Sequence, residues 1–365
     1  MTRLLKYYFT KKWILIAILA FAALQITLIS TTTTSYVYHS IVDSNLNVWM
    51  EHAKNPPIVI PTVIAAVLAT IIPFVEFSFK MRKVNIDQYY SLPIKREKLY
   101  LATYIFGFIE VMIPTFVSYL VSFISVFTKE SMFENIYFLP YFLILILITL
   151  IVYTIITFVY TRNNTFYDGL INVILIIFAL CIFVGAINSI FEAVNKHNIN
   201  NLYLDASWYI LYSPHTYLSS IFSELLCKGY LTYYANKIGI ILISLSIFAI
   251  AGISSFVLFV KLIKQDKAEN CSQISTSYIS YRVMIPLYVV SAMLLLRSTS
   301  IFVLIIVSIA AFFLYVLYHR TFKLKKQSII VLAASCVLGL ILAIIFEEMG
   351  SQLILEDPFA IWRFF

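Results

Sequence analysis

Nine runs of apolar residues, most of them long enough to cross a hydrocarbon core, dominate this sequence. They cover residues 13–29, 58–79, 100–127, 136–160, 170–191, 238–260, 283–296, 300–318 and 329–346. A membrane-crossing helix needs about 17–25 such residues. Only 283–296 is short, unless residues 278–282 supply its first turn. Hydrophobic residues make up 61% of the chain, charged residues 12%, and the mean hydropathy is +0.91. Soluble domains are nearer a quarter charged, so no water-soluble core can hide this surplus. The pattern predicts an all-α, polytopic integral membrane protein with about nine transmembrane helices and membrane lipid as its solvent.

The basic residues orient those helices. With the N-terminus cytoplasmic, 19 of the 26 Lys and Arg fall on cytoplasmic segments, leaving Lys54, Lys129, Lys196, Lys228, Lys237, Arg297 and Arg363 outside. Retention of basic loops on the inner side explains the asymmetry. If 283–296 did not cross, Arg320 and Lys323–Lys326 would face outward and the bias would weaken, so nine crossings are expected. The same loops account for the formal net charge of +8 without a nucleic-acid partner. The first run passes into Gln25 and a Thr tract with no small-residue cleavage pattern, so it reads as a retained span.

Motifs of soluble chemistry are absent. No GxxxxGK[ST], HExxH, GxSxG or Gly-rich dinucleotide fingerprint occurs, and there are 8 glycines in all. Cys181, Cys227, Cys271 and Cys336 are far apart, and His39, His52, His197, His215 and His319 are scattered, so neither a disulfide framework nor a metal site is expected. A membrane enzyme acting on lipid or polyisoprenoid would draw on Glu347, Glu348, Glu356 and Asp357, yet no matching His or Arg group accompanies them. No catalytic residue is expected.

Two acids fall inside spans. Glu76 precedes Lys80 by four residues, the spacing of an ion pair along one helix face. Glu110 lies ten residues into the third span, about 15 Å deep, where a carboxylate costs several kcal/mol unless paired or neutralised. It is expected either to face a subunit interface or polar cavity, or to hold a proton against a neighbouring hydroxyl. Pro114, one turn on, would kink the helix and free a backbone carbonyl.

Two loops carry further signal. Residues 80–99 hold Lys80, Arg82, Lys83, Lys95, Arg96 and Lys98 around Ile86, Tyr89, Tyr90, Leu92 and Ile94. Ser91 is placed to cap a helix whose first turn tolerates Pro93. Such an amphipathic element either anchors on anionic lipid, at about 1 kcal/mol per basic residue, or relays a push from a cytosolic partner into the third span. Residues 192–237 include Trp208, Tyr212, Pro214 and His215 and read as short amphipathic helices in the interface. Residues 30–57 open with a Thr run and end in Pro56-Pro57.

The string from Asp87 to Tyr100, Asp-Gln-Tyr-Tyr-Ser-Leu-Pro-Ile-Lys-Arg-Glu-Lys-Leu-Tyr, resembles the cytosolic loop of type-2 ATP-binding-cassette permeases of low-GC Gram-positive bacteria. There a Leu-Pro-[small or Ile]-[basic]-Arg stretch precedes the third span. Tyr212-Ser213-Pro214-His215 is similar to the outer helical hairpin of that family. The likeness covers residues 1–260, and residues 261–365 depart from the family's six-helix plan by adding three spans. The resemblance implies an exporter permease in the plasma membrane that binds no cofactor itself. ATP and Mg would act in separate cytosolic ATPase subunits, and a second permease subunit, identical or not, would complete the path. It casts Asp87, Tyr89, Tyr90, Leu92, Pro93, Lys95, Arg96 and Lys98 as the ATPase-coupling loop. Glu110 and Pro114 become pathway or interface residues, and Trp208, Tyr212, Pro214 and His215 an outer gate. Peptide or lipid-like cargo, as in resistance to antimicrobial peptides, is the implied substrate. A non-transporting sensor subunit would use the same loop for signalling.

Overall fold

A computed structural model of the chain describes residues 2–32, 35–43, 46–54, 58–91, 94–128, 135–195, 213–216, 218, 219, 222, 238–264, 269, 271, 273, 280–296 and 301–355. The protein is built from long helices: α1 (Thr2–Thr32), α2 (Val59–Glu76), α3 (Lys83–Tyr90), α4 (Arg96–Thr128), α5 (Phe138–Thr161), α6 (Phe166–Asn195), α7 (Ile238–Ile263), α8 (Tyr281–Leu296), α9 (Ile301–His319) and α10 (Lys326–Leu355). Seven of them, α1, α2, α4, α5, α6, α7 and α10, are long and apolar enough to cross a membrane. The chain is a multi-pass membrane protein. Shorter apolar helices at Tyr281–Leu294 and Leu304–His319 match the seventh and eighth apolar runs. Helices suit this solvent because every interior N–H and C=O finds its partner within the segment.

One departure from an all-helical chain lies between α1 and α2. Strands β1 (Ser35–Asp43) and β2 (Leu46–Lys54) pair antiparallel, with Ser35 opposite Lys54 and Asp43 opposite Leu46. Val37, Ile41, Val42 and Val48 with Tyr36, Tyr38 and Trp49 supply the β-branched and aromatic content that strands favour. The sequence reading assigned this loop no strand.

The contacts divide the chain into two compact units, Met1–Phe158 with Pro214–Ala268, and Val159–Ser213 with Glu269–Phe365. This division differs from a six-span core followed by a C-terminal extension: α6 belongs with α8, α9 and α10.

In the first unit α4 is the central helix, packed along α1 and α2 and reached also by α7. Small hydroxyl residues let α1 and α4 approach. Thr27 and Ser118 share a hydrogen bond of 2.6 Å, and Tyr8 and Thr103 one of 3.2 Å about four turns away. Thr27, Thr103 and Thr115 also donate to the carbonyl four residues back, so each hydroxyl stays satisfied in an apolar surround. A core of Ile58, Ala65, Tyr119, Val126, Phe138, Tyr141, Leu145 and Ile148 holds α2, α4 and α5 together at one end. There Tyr141 donates to the Ile58 carbonyl at 2.9 Å.

In the second unit α8 packs against α6, α9 and α10. It has 16 residues, about 24 Å of rise, less than a hydrocarbon core. Its surroundings compensate. Tyr281, Ile285, Val289 and Met293 are buried, and Gly339 of α10 lies so close that an added Cβ would meet Met293 at 3.0 Å. At its start Asn163 Oδ1 accepts from Asn172 Nδ2 at 2.6 Å and from Ser280 Oγ at 2.9 Å. Tyr281 donates to Asp168 at 2.9 Å. This fully buried polar knot ties the α5–α6 turn to the start of α8.

Candidate functional site

Two groupings of chemistry-bearing residues lie in the first unit, both at the end where α2 stops and α4 begins. The first is a charge cluster among α1, α2 and α4. Glu76 is the last residue of α2, and its Oε1 accepts from Lys12 Nζ of α1 in a close ion pair. The structure therefore gives Glu76 a partner 64 positions earlier in sequence, where the i,i+4 reading named Lys80. The Glu76 side chain is 1% exposed and that of Lys12 23%. Lys12 Nζ also sits 5.8 Å from the Tyr8 ring centre and 5.7 Å from that of Phe106, close enough for cation–π attraction from both.

Glu110 completes the cluster from α4. It is fully buried, within electrostatic reach of both Glu76 and Lys12. Neither of its carboxyl oxygens, nor Oε2 of Glu76, has a hydrogen-bond partner among the described residues. Gly107, one turn earlier, makes the approach of α2 to α4 possible: a Cβ there would collide with Tyr153 Oη and lie 3.0 Å from Glu76 Cγ. Tyr153 of α5 donates to the Tyr104 carbonyl at 3.0 Å and so closes the cluster on the α5 side. Pro114 is buried on the same helix, and the carbonyl its ring leaves without an N–H donor is that of Glu110 itself.

The second grouping is the α3–α4 element. A 3-10 helix, Ser78–Met81, carries the chain from α2 into α3. Contrary to the reading of Ser91 as an N-cap, α3 ends at Tyr90 with Ser91 as its C-cap, donating to the Asp87 carbonyl, and a separate helix starts at Arg96. The physical reason lies in Pro93, since the residue before a proline resists the helical region. Lys95 then opens α4, its carbonyl accepting from the amides of Lys98 and Leu99.

Aromatic residues seat this element on the helix ends. Phe79 lies 4.6 Å from Tyr89 and 5.7 Å from Tyr100, and Phe77 contacts both Tyr100 and Phe259 of α7. Tyr90 and Tyr100 share a hydrogen bond of 2.9 Å, and Arg96 stacks 4.5 Å over the Tyr90 ring. Glu97 reaches Lys264 at 3.6 Å, linking α4 to the end of α7. Asp87, Lys95, Arg96 and Lys98 are exposed beyond this aromatic layer. Leu92 and Pro93 lie outside the described residues.

Of the gate candidates, Trp208 and Tyr212 also lie outside the described residues. Pro214 and His215 form a helical turn buried against α5, with His215 Nε2 3.3 Å from Thr149 Oγ1. Burial pushes the His215 ring down to about 4, so it stays neutral over the ordinary pH range. Four residues that complete the charge cluster escaped the sequence reading: Lys12, Gly107, Tyr153 and Tyr8. Lys12 was counted as a flanking charge. The remaining signal was the scarcity of acids, since Glu76 and Glu110 are the only ones within the first three apolar runs. Comparison of the chain with protein-family models, with characterised proteins and with solved structures finds no match.

Proposed function

We propose that the chain is the permease subunit of an ATP-driven exporter of the type-2 ATP-binding-cassette class, with its N-terminus and the α3–α4 element in the cytoplasm and nine crossings in all. The observation that carries this reading is the α3–α4 element. It is a short helix clamped by Phe79, Tyr89, Tyr90 and Tyr100 onto the ends of two spanning helices, and it presents Lys95, Arg96 and Lys98 outward. A lipid anchor needs only basic residues beside apolar ones. A lever needs stiffness at its fulcrum, and the aromatic layer supplies it. Separate cytosolic ATPase subunits would dock here, a second permease subunit would complete the path, and a peptide or lipid-like molecule would be the cargo. The experiment is co-purification with a soluble subunit carrying a Walker A motif, followed by cargo efflux from reconstituted vesicles. ATP-dependent efflux supports the exporter. A stable complex that hydrolyses ATP without moving cargo would turn the reading towards a sensor, and failure to capture any ATPase would remove it.

A further inference from the structure

The charge cluster among α1, α2 and α4 does not balance, and the imbalance points to a ligand. Lys12, Glu76 and Glu110 together sum to −1 when all are ionised. Glu110 is fully exposed to neither water nor a donor: its relative exposure is 0% and both oxygens are unpartnered among the described residues. A net charge buried among helices costs several kcal/mol. One more positive charge would remove it.

We propose that Lys12, Glu76 and Glu110 form a proton-binding site inside the first unit, in which the two carboxyls hold one proton between them opposite the Lys12 ammonium. The proton comes from solvent and forms an O–H bond on one carboxyl, and no other bond breaks. A carboxylic acid is a donor where a carboxylate is only an acceptor. Glu76 already spends Oε1 on Lys12, which leaves Oε2 as a buried acceptor with no hydrogen-bond partner among the described residues. A single proton shared between them therefore pairs one oxygen of each carboxyl and removes the net charge at once.

The groups facing the site come from every helix packed on it. They are Lys12 and Tyr8 from α1, Glu76 from α2 and Tyr153 from α5. Lys12 is the cation paired with Glu76 there. No group of three or more His, Cys, Asp and Glu side chains gathers among the described residues. A hard metal ion takes six or more oxygens, and a proton suits two carboxyls far better. Because the groups interact, the titration belongs to the set and not to either acid.

This inference does not rest on the exporter reading, and its test needs no ATPase. Infrared spectra of the purified full chain in lipid nanodiscs would be recorded from about pH 5 to pH 9, around the ordinary range of perturbed carboxyls. The carbonyl band of a protonated carboxyl reports the occupied site. Wild type is expected to show one such carboxyl at neutral pH. Glu110→Gln is expected to lose it, and so is Glu76→Gln, because Lys12 then balances the one acid that remains. Lys12→Met is expected to double it, since two acids without a cation both take protons. That doubling separates the proposal from a Glu110 that is merely neutral packing, which Lys12→Met would leave unchanged. A wild-type protein without the band, a band untouched by both Gln variants, or a band that responds to sodium at fixed pH would overturn it. Glutamine is isosteric and neutral, and circular dichroism would verify the fold of each variant. If one Gln variant is unstable, the other and Lys12→Met still decide.

Discussion

Gly107→Ala probes whether α2, α4 and α5 meet as closely as the charge cluster requires. Two effects oppose each other. Alanine favours a helix interior over glycine by about 1 kcal/mol. Against this, the new Cβ would collide with Tyr153 Oη and press on Glu76 Cγ at 3.0 Å and Ile72 Cγ2 at 3.4 Å. The two hydrocarbon contacts yield by a few tenths of an ångström. The Tyr153 hydroxyl cannot yield without loosening its hydrogen bond to the Tyr104 carbonyl. Overpacking costs about 1–3 kcal/mol, and a weakened buried hydrogen bond adds about 1 kcal/mol. The net expectation is a loss of about 1–3 kcal/mol.

The decisive assay is a double-mutant cycle read by thermal unfolding in detergent. Tyr153→Phe alone should cost about 1 kcal/mol, the usual contribution of one hydrogen bond. Once the hydroxyl is gone, the Gly107→Ala change should become nearly neutral. The coupling between the two sites is then about 1–3 kcal/mol, within the range of residues in contact. Additive effects to within about 0.5 kcal/mol would refute the reasoning, because they would mean that Tyr153 does not close over Gly107.

Other consequences follow from single sites. Charge reversal of Lys95, Arg96 and Lys98 to Glu should cost about 0.5–1 kcal/mol of thermal stability, the worth of the Arg96 stack on Tyr90, and little beyond it. The same change should cut transport per ATP hydrolysed in reconstituted vesicles, by about tenfold for each 1.4 kcal/mol of docking energy lost. His215, buried as the neutral ring, is pushed down to about 4. The unfolded chain takes a proton first, so stability falls as pH drops from about 6.5 to 4, by about 3 kcal/mol in total. His215→Gln should flatten that slope in unfolding scans across the window. Asn163→Ala leaves the Ser280 hydroxyl buried without its acceptor, while Asn172 keeps its bond to Ser280, and should cost about 1–3 kcal/mol.

The spans were legible because lipid demands length and apolarity, both local properties of the chain. Their neighbours were not. α6 is apolar nearly all round, so hydropathy does not say which helices it touches; contacts such as Asn172 on Ser280, at the start of α8, bring its neighbours to it. The short α8 looked doubtful because 16 residues alone would leave its ends in lipid. Burial by three other helices, and the Asn163–Asn172–Ser280 knot at its start, remove that penalty, and neither is visible in a window of sequence. Lys12 was hidden by an error of boundary. Counting the first span from residue 13 put it outside, whereas α1 begins at Thr2 and carries Lys12 in its third turn. Glu76 was misassigned for a related reason, since proximity in sequence favoured Lys80.

The two groupings at this end of the first unit are mechanically continuous. Tyr89 of α3 packs on the cluster of Tyr8, Ile16 and Phe106, and Tyr8 and Phe106 are the rings that flank Lys12. Glu76 stands two residues before the 3-10 helix that leads into α3. A displacement of α3 would therefore reach Lys12 through Tyr8 on one side and Glu76 through the backbone on the other. An ion pair held between two elements that move together is unaffected by their motion. Here the elements differ, because α1 is pinned to α4 by Tyr8–Thr103 and Thr27–Ser118 while Glu76 sits at the end of α2 from which the backbone runs through the 3-10 helix into α3. Motion of α3 would then alter the Lys12–Glu76 separation and with it the charge felt by Glu110. Coupling of that kind is reciprocal, so replacing Tyr89 with Ala should shift the pH at which the Glu76–Glu110 carboxyl band titrates. An unshifted band would show that the loop and the charge cluster are neighbours without communicating.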